Sequence, residues 1–204
     1  MLRDRSALVI ALAALVAGCS DAGSGAIDLP EGTRGGSVLH GTVRGIGGNT
    51  NSAVIPGDDA GGVTYRSTLG FDLTKLPSGA TVTQATLTVT QCRVGGSPYT
   101  ALGSLMVDQI DLNNGLSDAA FSGLTIAGSI GTLSSSAAIG PRTLDVTTQV
   151  KADVAAHRAV SGFRLRFSAR DTNGDAVSDF IQIALPRDGV CSTSAPPQLH
   201  VAYD

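Results

Sequence analysis

Ala85-Thr86-Leu87-Thr88-Val89-Thr90 places an apolar side chain at every odd position and a threonine at every even one. Successive side chains of a strand point to opposite faces, so this stretch reads as a half-buried β-strand with a threonine outer face. Working outward, the same period recurs. Leu69 and Phe71 alternate with small or polar residues, as do Leu105 and Val107, and Ile181, Ile183 and Leu185 follow the same rule. Leu199, Val201 and Tyr203 close the chain. Phe163, Leu165 and Phe167 alternate with Arg164 and Arg166, which assigns the apolar face to a core and the arginine face to water. Leu76-Pro77-Ser78-Gly79-Ala80 is a turn, since proline fixes φ and glycine relieves the backbone. One segment breaks the pattern. From Thr147 to Arg158, Val146, Val150 and Val154 recur every four residues, the spacing of one helix face. Many short strands, one helix and no internal repeat predict a single all-β domain over residues 38–204, a β-sandwich of jelly-roll type.

Composition narrows the class further. Charged residues make up 15% of the 204, too few for a disordered chain, and the net charge of −3 argues against a nucleic-acid partner. Lys and Glu are scarce, which excludes a long-helix protein, whereas abundant Gly, Ser, Thr and Val suit an extracytoplasmic β domain.

The N-terminus carries an address. Arg3 and Arg5 precede an apolar run from Ala7 to Ala17, too short to span a bilayer as a helix and read as a signal-peptide core. Val16-Ala17-Gly18-Cys19 resembles the bacterial lipobox. That resemblance implies a signal peptide over 1–18, diacylglycerol on the Cys19 thiol, cleavage before Cys19 and anchoring to a membrane outside the cytoplasm. Ser20 after the cysteine resembles an outer-membrane sorting signal of Gram-negative bacteria. Residues 20–37, SDAGSGAIDLPEGTRGGS, lack apolar periodicity and are expected to form a flexible tether.

The strand residues also carry a family likeness. Tyr65-Arg66-Ser67-Thr68-Leu69-Gly70-Phe71-Asp72-Leu73, then Leu76-Pro77 and Ala80 through Leu87, resemble the opening of the DNRLRE-type β-sandwich domain. The likeness continues through Leu144-Asp145-Val146-Thr147, Phe163 to Phe167, and Pro197 to Tyr203. It implies a sandwich similar to carbohydrate-binding modules of polysaccharide-degrading and adhesive bacterial proteins. Asp72 is read as a turn cap or a partner of Arg66 rather than a catalytic group.

Site residues are few. With Cys19 lipidated, Cys92 and Cys191 are the remaining thiols, and export to an oxidising compartment favours their pairing over two buried free thiols. Asp171-Thr172-Asn173-Gly174-Asp175-Ala176-Val177-Ser178-Asp179 admits two readings. Asp171, Asn173, Asp175 and Asp179 are oxygen ligands spaced to curl around Ca²⁺. Alternatively, Asn173-Gly174 is the turn of a polar hairpin. Of the aromatics, Tyr99, in the loop after Gly95-Gly96-Ser97-Pro98, is the candidate exposed ring for a sugar. No catalytic constellation emerges. His40, His157 and His200 are scattered, with His157 and His200 expected to face solvent. Glu31 is the single glutamate, and nothing in the spacing of Asp58, Asp59, Asp108, Asp111 and Asp118 singles out a pair for glycoside cleavage. The expectation is a lipid-anchored, non-catalytic module that binds a glycan or adheres. The competing expectation is a structural or protein-interaction lipoprotein of the envelope without sugar binding.

Overall fold

The computed structural model describes residues 23–186, 190–191 and 196–204. The signal-peptide and lipobox readings, Cys19 included, lie outside the described residues.

The chain is all-β. Its strands are β1 (Gly25–Pro30), β2 (Thr33–Arg34), β3 (Ser37–Val38), β4 (Gly41–Arg44), β5 (Asn49–Thr50), β6 (Gly57–Asp58) and β7 (Thr64–Asp72). They continue with β8 (Val82–Gly95), β9 (Leu105–Ile110), β10 (Thr125–Ser134), β11 (Gly140–Asp145), β12 (Val160–Phe167), β13 (Phe180–Ile183) and β14 (Gln198–Tyr203). Among the described residues two helices interrupt them, α1 (Pro98–Ala101) and α2 (Thr147–Ala155). One continuous antiparallel sheet runs β1-β14-β8-β13-β6-β7-β12-β9-β10, with β11 on β8 and β4 on β7. It folds over so that its two halves face each other as a sandwich. Leu87, Val89, Leu199 and Val201 from one half share a core with Leu69, Phe71, Phe163 and Leu165 from the other, and Phe71 and Phe163 meet at 6.1 Å between ring centres. The threonine-alternating strand is the middle of β8, with Ala85, Leu87 and Val89 buried as the period requires.

The structure corrects the tether. From Gly25 the segment is a strand, in register with β14 from Gly25↔Tyr203 to Pro30↔Gln198. Ile27 and Leu29 supply a short period-2 signal masked by the surrounding Gly and Ser, and Leu29 reaches the main core. Glu31 then turns inward and pairs with His40, tying the end of β1 to the start of β4.

The arginine face of β12 is a second correction. Arg164 is buried, not solvated. The connection from β9 to β10 folds back across the outer face of the sheet, forming a small second core of Leu39, Val43, Ile110, Leu112, Ala120 and Val160. Arg164 lies under that connection and donates to Asp108 at 2.8 Å and to the carbonyls of Ala120, Phe121 and Gly123.

The helix at Thr147 forms as its valine spacing predicts, with Val146 at its N-cap, and Asp145 just before it accepts from the Thr147 N–H at 2.9 Å. It ends at Ala155 rather than Arg158, because His157 takes a left-handed φ of 54°. The one-turn helix α1, around Tyr99, is additional to the single helix expected. Asp72 caps a 3₁₀ turn by accepting from the Thr74 N–H at 3.0 Å, whereas Arg66 pairs elsewhere. Cys92 and Cys191 form a disulfide with Cα atoms 5.9 Å apart, joining β8 to the segment before β14.

Candidate functional site

A hollow of about 330 Å³ opens where β6, β7, β8 and β13 meet the segment after β5. Its walls are Ile55, Asp59, Tyr65, Arg93, Ser178 and Phe180, with Thr42, Thr50, Ala53 and Asp58 completing the lining. The floor is built by glycine. Phe180 stands opposite both Gly57 and Gly95 across its two neighbouring strands. A Cβ on Gly95 would run into the Phe180 ring, and one on Gly57 would strike the Asp179 carbonyl and Phe180 itself. The two bare positions let the ring lie down against the sheet. Arg93 holds its guanidinium 5.2 Å from the ring centre, a cation–π distance.

Arg93 faces outward because β8 carries a bulge. Gln182 pairs with Arg93, but the next residue, Ile183, pairs with Gln91, so Cys92 is an extra residue. A bulge reverses the inward–outward alternation beyond it. Before it, odd-numbered residues point inward; after it, Val94 packs against the core and Arg93 is exposed.

The opposite wall is equally constrained. The Tyr65 hydroxyl donates to Asp59 Oδ2 at 2.7 Å, and Asp59 Oδ1 accepts from the Gly61 and Val63 N–H groups at 2.9 and 3.0 Å. The Tyr65 hydroxyl and then the Val63 N–H hold the Asp59 carboxyl below its ordinary range, and the same contact raises Tyr65. Asp59 is therefore a fixed acceptor at the rim. The hollow thus combines an aromatic floor, a guanidinium and a fixed carboxylate, a layout suited to holding a small polar ligand with one apolar face. A second concavity of about 440 Å³, lined by Ser37, Asn49, Asn51, Asn114 and Leu116 among others, has neither a ring nor a charged side chain.

The sequence-predicted site residues fare unevenly. Tyr99 is not an exposed platform. Its ring packs edge-on against Phe167 at 5.6 Å, its hydroxyl donates to Gln91 Oε1, and burial pushes its pKa up. The hairpin reading of 171–179 is overturned, because β12 and β13 do not pair: β12 lies between β7 and β9, β13 between β8 and β6. Asp171 turns away to Arg66, which grips both its oxygens at 2.9 and 3.0 Å. Asn173, Asp175 and Asp179 are drawn together, since the Asn173 amide donates to Asp175 Oδ2 at 2.7 Å and to Asp179 Oδ2 at 3.3 Å. Among the described residues, no three His, Cys, Asp or Glu side chains form a ready-made metal centre. His157 and His200 are exposed as expected, and His200 pairs with Asp28 at 2.7 Å. Of the five aspartates considered as a pair, Asp58 and Asp59 reach the hollow, Asp108 serves the arginines, and Asp111 and Asp118 brace loops.

Phe180 was legible as the residue whose parity opposes Ile181 and Ile183. Arg93 was not, because nothing local announces the bulge. No family model matches the chain, and no similar curated protein is found for it.

Proposed function

We propose that the protein is a lipid-anchored envelope protein displaying a non-catalytic, glycan-binding β-sandwich module. The Phe180 hollow carries this reading. A sugar ring has an apolar face suited to an aromatic platform and hydroxyls suited to Arg93 and Asp59. The resemblance to DNRLRE-type domains supports the sandwich fold more than the ligand. The anchor rests on the Arg3 and Arg5 charges, the apolar run and Val16-Ala17-Gly18-Cys19. Since β1 starts at Gly25, only residues 20–24 separate it from Cys19, a reach of about 20 Å at ~3.5 Å per residue. The module therefore sits close to the lipid surface.

Affinity electrophoresis through gels containing individual neutral and acidic polysaccharides, alginate among them, tests the reading. The purified protein should be retarded by at least one, and Arg93→Ala should migrate faster in that gel while remaining folded by circular dichroism. Equal mobility in every gel would leave the envelope role to protein contacts.

A further inference from the structure

Beside the hollow, two buried aspartates are neighbours through their backbones. Asp58 is 2% exposed and Asp179 1%. They are locked together by the backbone, the Asp58 N–H donating to the Asp179 carbonyl at 2.9 Å and the Asp179 N–H to Asp58 Oδ1 at 3.0 Å. Asp58 Oδ2 is fully buried and accepts no hydrogen bond. The Asp179 carboxylate receives the Ser97 N–H on one oxygen and the Asn173 amide on the other. Among the described residues, no Lys, Arg or His pairs with Asp58, Asp175 or Asp179.

Buried carboxylates persist in folded chains when a cation or a full set of donors compensates them. Here the donors are incomplete and the nearby loop adds a third carboxylate, Asp175. We propose that a hard divalent cation, Ca²⁺ by the chemistry of its ligands, binds between Asp58 and Asp179, with Asn173 and Asp175 closing over it from the loop. The Asn173 amide now presents Nδ2 to the Asp175 and Asp179 oxygens. Turned over, it gives up the Asp175 N–H that its Oδ1 now accepts at 3.3 Å and presents Oδ1 to the ion instead, converting a donor that bridges two acceptors into a further ligand. Ca²⁺ accepts about six to eight oxygens in flexible geometry, so backbone carbonyls and water complete the set. Asp171 takes no part, being held by Arg66.

The cation would tie the 168–179 connection to β6 and fix Asp179, the residue immediately before the Phe180 floor. Its influence on glycan binding rests on the proposed function; its existence does not. Titration calorimetry with Ca²⁺ on the EDTA-treated full chain, purified in detergent without sugar, tests the site alone. One saturable site per chain is expected. Asp58→Asn should weaken it at least 10-fold without lowering the melting temperature measured in EDTA, and Asp171→Asn should leave it unchanged. No saturable binding by millimolar Ca²⁺, or equal affinity for Asp58→Asn and the parent, would overturn the proposal. So would a loss for Asp171→Asn as large as that for Asp58→Asn, since it would place the ion in the loop alone.

Discussion

Asp108 shows how one residue can decide whether a sheet face is wet or dry. It accepts from Arg164 at 2.8 Å and from Arg166 at 2.9 Å, and the Ser129 N–H adds a third contact at 2.7 Å. Burial alone would raise its pKa; the bonds from Arg166, Ser129 and Arg164 outweigh burial and hold it below 3.8. A carboxyl depressed in the folded state contributes stability above its unfolded pKa and loses it as the pH falls through the folded value. Stability should therefore drop below about pH 3.8. Asp108→Asn should flatten that acid limb and cost about 3–5 kcal/mol at neutral pH, because Arg164 is left buried without its counter-charge. Urea unfolding followed from neutral pH downward measures both. Arg164 was misassigned from sequence for a related reason: strand alternation tells which residues share a face, but not what covers the face. The cover is the β9–β10 connection, whose apolar residues are too few and too irregular to announce a second core.

Among the elements, β8 was legible from Ala85 to Thr90, short of its irregular start at Val82 and of the bulge at Cys92, and the core faces of β7, β12 and β14 follow their alternation as read. The disulfide was legible as the default pairing of the two remaining thiols in a chain expected to be exported. It closes a loop of 99 residues and contributes about 4.7 kcal/mol in the chain-entropy estimate. What escaped was β1, a strand with two useful apolar residues in a Gly- and Ser-rich setting, whose partner is at the other end of the chain. Long-range pairing leaves little local trace. The link between β1 and β4 has its own signature. Burial would lower the His40 pKa, but the hydrogen bond and charge of Glu31 outweigh it and raise the pKa above 6.5. A raised histidine contributes stability in full below pH 6.5 and loses it as the pH climbs through the folded value. Thermal melts should therefore fall in midpoint from pH 6 towards pH 8, as ~1.4 kcal/mol is lost for each unit by which the pKa is raised. His40→Asn should abolish the slope.

For the whole molecule, the proposed function joins a membrane anchor to a sandwich whose most distinctive surface feature is the Phe180 hollow. The proposed anchor predicts that Cys19→Ala releases the protein from the membrane fraction on ultracentrifugation, whereas undiminished sedimentation with membranes would contradict lipidation. The fold class was readable from side-chain alternation. The hollow was not, because Tyr65, Arg93 and Phe180 come from three different strands and Asp59 from the turn after β6, brought together by pairings and a bulge. In the proposed function, this hollow holds a saccharide on the Phe180 ring. Calorimetric titration of parent and Phe180→Ala protein with oligosaccharides of the polysaccharide that retards the parent tests it most directly. Binding should be at least 10-fold weaker for the variant with its fold retained; the same Kd for both proteins would take the saccharide off the ring.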